Sequence, residues 1–316
     1  MSKVDRNQPR RSTASESRYT LFEFDRDFPD DAACLDWLVG QLYPNGIHCP
    51  KCDKVTKHYR DHNRPSYSCE YCGHREHPMA GTIFQDSATS LRLWFYAFYL
   101  MSSTRCGISA KQLERELGVT YKTAWRMFNR IRSLMYQCDA PITEGTVEID
   151  EAYIGGKAHW RSRGRATGIK GGIKGKTQVL GFAQRGVDGE PGTITAKVMP
   201  NNVKRAVLNE VTTKVLEKAI IYTDEANAYE TLTKKGYHHR RVHHRQNIYV
   251  DGDVHTNTIE GFWSLLKRGI SGVYHGVSTK HLQTYLDEYT FRYNNREADG
   301  KGIFDVLMER IEKAPA

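Results

Sequence analysis

Apolar and aromatic positions in this chain follow two periods, helical in the first half and mixed in the second. Phe22, Phe24 and Phe28 lead into a stretch opened by Asp30 and Asp31, where Leu35, Leu38, Val39 and Leu42 supply a helical face before Pro44, Asn45 and Gly46 break it. Residues 89–103 are mostly apolar and aromatic and contain neither Gly nor Pro, which predicts a buried helix. A helical pair follows Gly107. Ser109 and Gln112 have capping-box spacing, Leu113 and Leu117 mark an inner face, and Gly118 turns the chain. The second helix starts at Thr120 and repeats apolar residues at Tyr121, Ala124, Trp125, Phe128, Ile131 and Met135. Beyond residue 145 the period shortens. Residues 146–154 are dominated by β-branched and aromatic side chains and end at Gly155 and Gly156, as a buried strand does. Strands are expected at 177–184 and 192–199, a helix at about 203–217, a strand closing at Asp224, and a helix at about 257–269 with Ile259, Trp263, Leu266 and Ile270 as its buried stripe. Strands interrupted by a helix in this order predict a mixed α/β sheet.

Length and charge add a domain layout and a partner. A chain of 316 residues has room for one sizeable core and smaller modules. Lys and Arg number 46 against 37 Asp and Glu, a formal charge of +9 that favours a polyanionic partner such as DNA or RNA. The longest apolar run, 93–101, is too short to cross a bilayer and follows Arg92. The polar, charged residues 1–18 form no signal peptide, so a disordered tail and a cytoplasmic protein are expected.

Candidate chemistry falls in two places. Cys49 and Cys52 form one Cys-x-x-Cys knuckle, and sixteen residues later Cys69 and Cys72 form another. That spacing matches a four-thiolate structural zinc site, in which the metal replaces a core too small to form otherwise. His58, His62, His74 and His77 are alternative ligands or surface histidines, and Cys34, Cys106 and Cys138 stand apart. The second place is the strand centred on Asp150, where an uncompensated carboxylate is costly unless a cation meets it. Asp224 ends another strand and Glu260 sits in the 257–269 helix. Three such acids can converge on divalent cations, and Lys267, seven residues after Glu260, points the same way from the helix.

Basic residues supply three candidate DNA contacts. On the helix after Thr120, the polar face carries Lys122, Thr123, Arg126, Asn129 and Arg130; this fits either a helix-turn-helix with a recognition helix for the major groove or a plain hairpin with a solvated face. Residues 157–176 hold seven Lys or Arg and five Gly with no acid, which fits either a flexible surface loop or a phosphate-tracking arm; the arm is preferred, with Arg161, Arg163 and Arg165 tracking phosphates. The cluster at 238–245 is assigned to DNA proximity or plain solvation.

The order of these parts resembles the zinc-ribbon insertion-sequence transposases of the ISXO-like group over residues of about 30–300. The resemblance rests on the four-Cys ribbon, the helical pair, Val-Glu-Ile-Asp-Glu-Ala-Tyr-Ile-Gly-Gly, Tyr-Thr-Asp-Glu, His-Thr-Asn-Thr-Ile-Glu-Gly-Phe-Trp-Ser-Leu-Leu-Lys-Arg-Gly-Ile and the run at 280–296. It implies a ribonuclease H-like catalytic fold with a DDE-type site at Asp150, Asp224 and Glu260, two Mg²⁺ ions there and one Zn²⁺ in the ribbon. Lys267 then matches the basic residue two turns beyond the third acid, and Arg268 beside it joins the DNA contacts. Glu260 is preferred to Asn257, one turn earlier, because a carboxylate binds a hard cation better than an amide. The layout expected is a tail at 1–20, a helix and ribbon at 21–80, a helix-turn-helix region at 86–138, a catalytic domain at 145–300 and a C-terminal helix at 301–316. The function implied is a transposase, a homo-oligomer on double-stranded DNA that cuts transposon ends and joins them to a target. A non-catalytic regulator and a ribonuclease H-like nuclease are the alternatives.

Overall fold

The computed structural model describes residues 19–104, 106–136, 140–155, 176–186, 191–199, 204–224, 229, 231–242, 253–298 and 300–313. The chain forms two compact units, Met1–Ser103 with Ala298–Ala316, and Thr104–Glu297. The first unit opens with α1 (Leu21–Asp27), whose start is fixed by a capping box between Thr20 and Glu23. Tyr19 is already buried, so ordered packing begins inside the segment expected as tail. In α2 (Asp31–Leu42), Asp30 caps the first turn by accepting the Ala33 N–H at 2.8 Å. Short strands β1 (His48–Cys49), β2 (Lys54–Val55), β3 (His58–Arg60), β4 (Tyr67–Cys69) and β5 (Arg75–Glu76) make a two-stranded and a three-stranded antiparallel sheet. Then comes α3 (Leu91–Ser103), with Trp94, Phe95 and Phe98 fully buried.

The 86–138 segment expected as one region is therefore divided after Ser103. The reason is aromatic packing: Phe95 lies edge-on to Phe28 at 5.0 Å and to Trp37 at 5.6 Å, and the C-terminal helix α9 (Gly300–Glu309) packs on α3 with Phe304 5.9 Å from Phe28.

The second unit begins with α4 (Ala110–Leu117) and α5 (Tyr121–Ser133), joined through Gly118 in the left-handed conformation at φ 65°. Only half of the expected capping box forms: Ser109 accepts the Gln112 N–H at 3.1 Å, while the Gln112 side chain turns to Glu116. The α/β core carries β6 (Thr146–Ile154), β7 (Thr177–Gln184), β8 (Thr193–Val198), α6 (Lys204–Lys214), β9 (Ile220–Thr223), β10 (His238–Arg241), α7 (Asn257–Gly269) and α8 (Leu282–Asn294). Its sheet has the order β10-β9-β6-β7-β8; β6, β7 and β8 run antiparallel, and β9 and β10 run parallel to β6. The polar strand β10 falls where the sequence shows only a basic cluster. It is an edge strand with every second residue half-buried, so no apolar alternation marks it, and His239 Nε2 lies 2.8 Å from Thr223 Oγ1.

Side-chain alternation gives the sheet two cores. Val147, Ile149, Phe182 and Ile221 pack with Val207 and Val211 of α6 on one face. On the other, Ala152, Val179 and Ile194 pack with Ile259, Trp263 and Leu266 of α7 and with Leu286 of α8. Helix α5 joins α8 through a buried charge cluster, where Arg132 Nε is 3.0 Å from Glu288 and Arg292 holds the same carboxylate at 2.9 Å.

Candidate active site and zinc ribbon

Two strand ends and two turns bring the ribbon cysteines together. Cys49 Sγ is 3.5 Å from Cys72 Sγ, Cys52 Sγ is 3.9 Å from Cys69 Sγ, and all four sulfurs lie within 4.8 Å of one another. A tetrahedral zinc with Zn–S of about 2.3 Å sets sulfurs about 3.8 Å apart, so the quartet fits that ion. The Thr56 hydroxyl, 3.2 Å from Cys69 Sγ, lowers that thiol to about 5, while the neighbouring Cys72 side chain first of all pushes Cys52 up to about 12. Crowding of this kind favours a shared cation that holds all four as thiolates. The four histidines stay outside the quartet.

Sheet register positions the first two acids. Parallel pairing of β6 with β9 ends at Ile149 opposite Thr223, so Asp150 and Asp224 follow side by side. Burial first, and then the charges of Asp224 and Glu260, push Asp150 up to about 7. Glu260 lies exposed in the first turn of α7, where it accepts the Thr256 hydroxyl at 2.7 Å. Asp224 and Glu260 are near enough to act on Asp150 electrostatically, yet the three do not close into a ligand cluster; among the described residues, the cysteine quartet is the one group of three or more His, Cys, Asp or Glu side chains so placed. Their donor set is all carboxylate oxygen, which suits a hard cation such as Mg²⁺.

Several residues around Asp150 carry no signal in sequence spacing. Trp263 donates its Nε1–H to Asp150 Oδ2 at 3.1 Å. That approach needs Gly181, the cross-strand partner of Asp150, because a Cβ there would stand 2.5 Å from the Trp263 ring and 2.6 Å from Ile259. The next residue, Glu151, points to the opposite face, where Tyr229 and Gln178 each donate to it at 3.0 Å. Glu148, fully buried on the Asp150 face, takes the Thr258 N–H at 2.8 Å and the Ile259 N–H at 3.1 Å from the first turn of α7.

Both regions match known proteins. The ISXO2-like transposase domain model matches residues 142–294, which include the three acids, and the transposase zinc-ribbon domain model matches residues 29–75, which include the quartet. An uncharacterized protein in transposable element ISH50 of Halobacterium salinarum is 35% identical over 299 residues, 90% of this chain and 98% of that protein. The chain belongs to the ISXO2-like transposase family. An uncharacterized transposase-like protein of Haemophilus influenzae is 30% identical over 115 residues, 36% of this chain and 90% of that protein.

In this family member the described basic candidates lie on two helices. On α5, Lys122 is exposed, whereas Thr123, Arg126 and Arg130 are half-buried and Thr123 is engaged with the Thr120 cap, its Oγ1 3.0 Å from Thr120 Oγ1. Lys267 and Arg268 are exposed in the last turn of α7. Arg161, Arg163 and Arg165 lie outside the described residues. Among the described residues, no helix is long and apolar enough to cross a membrane.

Proposed function

We propose that this family member is a transposase that binds the terminal inverted repeats of its own element, cuts the ends and joins the freed 3′-hydroxyls to target DNA. The observation that carries the reading is the pair of acids adjacent on neighbouring parallel strands, Asp150 and Asp224, with the helix bearing Glu260 held against the same sheet face by Trp263 and Glu148. A ribonuclease H-like assignment is supported by the sheet, an antiparallel meander on one side of β6 and two parallel strands on the other. A helix-turn-helix is supported by the turn at Gly118 and by the cations of α5.

Asp150 and Asp224 would hold two Mg²⁺ ions, with Glu260 completing one coordination shell. Bound Mg²⁺ supplies the Lewis acidity that activates an attacking water or hydroxyl and stabilises the leaving oxygen of an in-line phosphoryl transfer. The chain's own residues prepare the site. Burial beneath α7 keeps Asp150 partly out of water, and the Trp263 N–H fixes one of its oxygens. Thr256 orients Glu260, and Lys267 and Arg268 offer charge to phosphates from the far end of the same helix. Lys122, Thr123, Arg126 and Arg130 would contact the ends, Arg161, Arg163 and Arg165 the backbone. A cytoplasmic homo-oligomer, nucleoid-associated when bound to double-stranded DNA, is the form expected to act.

Labelled candidate ends incubated with the purified protein and Mg²⁺ test the proposal. Cleavage at the ends followed by strand joining is the expected result. Binding without cleavage would leave a regulator, and cleavage of any sequence alike would leave a nuclease.

A further inference from the structure

We propose that Glu148 and Arg185 are positioning residues that set the distance between the strand carrying Asp150 and the helix carrying Glu260; the proposal rests on reading these acids as metal ligands. A helix begins with N–H groups that no residue of the helix itself can satisfy, and an N-cap side chain ordinarily accepts one of them. In α7 the N-cap residue Thr256 makes no such bond, and its hydroxyl is donated to Glu260. Glu148 does the capping from outside. Its Oε2 takes the Thr258 and Ile259 N–H groups at 2.8 and 3.1 Å, and its Oε1 takes the Thr258 hydroxyl at 2.9 Å. A buried carboxylate also meets the positive end of the helix dipole there.

Glu148 stands two residues before Asp150, so both project from the same face of β6. One side chain thus joins the Asp150 strand to the turn that carries Glu260, while Thr256 stays free to orient that acid. Arg185, just past the end of β7, completes the clamp. Its Nε donates to Glu148 Oε1 at 2.8 Å, and its two terminal nitrogens donate to the carbonyls of Asp253 and His255 at 2.7 and 3.0 Å. The guanidinium also lies over the Tyr222 ring, 4.9 Å from its centroid, on the strand that leads to Asp224. A planar fork with several fixed donors suits this many-sided contact better than an ammonium does.

Groups that orient metal ligands typically change metal affinity about 10- to 100-fold when removed. The experiment follows Mn²⁺ binding by the full-length, DNA-free protein, using the paramagnetic resonance signal of free Mn²⁺, together with melting, zinc content and Mg²⁺-dependent nicking. Glu148→Gln keeps the size of the side chain and removes its charge, and Arg185→Lys keeps the charge and removes the fork. Each should weaken Mn²⁺ binding about tenfold and raise the Mg²⁺ concentration for half-maximal nicking by the same factor, with zinc content unchanged and nicking restored at saturating Mg²⁺. A lower melting temperature with unchanged Mn²⁺ affinity would reduce the pair to a structural cap and overturn the proposal. If Glu148→Gln does not fold, Arg185→Lys and Thr256→Val decide, and unchanged Mn²⁺ affinity in both overturns it equally. Asp150→Asn separates the two levels: Mn²⁺ binding equal to wild type in that variant would remove the ligand reading itself, and the positioning proposal with it.

Discussion

In the ribbon, four sulfurs lie within 4.8 Å of one another on two short strand ends and two turns, whereas the three acids sit on a sheet and a helix with apolar cores on both faces of the sheet. The ribbon strands bury little beyond Tyr67 and two of the cysteines: β2 is fully exposed, and of the β1 residues only Cys49 is buried. There the metal ligands are the core, so removing one removes the fold. Around Asp150 the framework is held by apolar cores on both faces of the sheet, and the burial of Asp150 beside Asp224 and Glu260 works against the fold rather than for it. On the proposed reading, one chain therefore contains a site where coordination builds structure and a site where structure sustains an unfavourable arrangement for coordination.

The largest expected effect lies on the ribbon side. Cys49→Ser or Cys72→Ser should abolish stoichiometric zinc and unfold residues 48–76, since structural zinc contributes on the order of 10 kcal/mol to such modules. The sheet unit should melt as before. Zinc content and a two-transition melting curve check this, and a ribbon that stays folded without zinc would erase the contrast.

A smaller effect is expected where the sheet meets α7. In Gly181→Ala, the new methyl would press on Trp263 and Ile259, and overpacking of this kind typically costs about 1–3 kcal/mol. Denaturation of the sheet unit measures the loss, and the Trp263–Asp150 hydrogen bond should loosen with it. An unchanged midpoint would mean that α7 is not seated on the sheet as described.

The last effect has the opposite sign. Asp150 keeps its proton up to about 7 in the metal-free fold, against about 4 for an unfolded aspartate. Its contribution to stability is thus fully present below about pH 4 and is lost as pH rises through about 7. Asp150→Asn should raise the metal-free melting temperature by a few degrees at pH 8 and leave it unchanged at pH 4. A lower melting temperature at pH 8 would place Asp150 in an ordinary structural ion pair.

How much of this is legible in the sequence depends on how local each constraint is. The cysteine knuckles and the Thr120 cap are set within a few residues, and the sequence pattern locates them, as the apolar stripe of α7 locates that helix. Asp150 and Asp224 can be picked out because each sits at a marked position of an apolar strand. The partners of these residues cannot be read the same way. Glu148 meets Arg185 37 positions away and Thr258 110 positions away, and Gly181 matters only because it pairs with Asp150. Strand β10 hides because an edge strand can be polar. Gln112 has the right spacing for a capping box but binds Glu116, since spacing does not fix which of two neighbours wins. Helix α9 joins α3 across about two hundred residues, beyond the reach of any periodicity.

The most direct test of the central claim is Mg²⁺-dependent nicking of a cognate end by Asp150→Asn, Asp224→Asn, Glu260→Gln and Asn257→Ala, with folding and end binding measured alongside. Loss of cleavage by about a thousandfold or more in each of the first three, without additivity when two are combined, is the expected result, since ligands of one site act as a unit. Asn257→Ala should be milder. Full nicking by Glu260→Gln with none by Asn257→Ala would move the third ligand one turn along α7, and full nicking by Asp150→Asn would contradict the account.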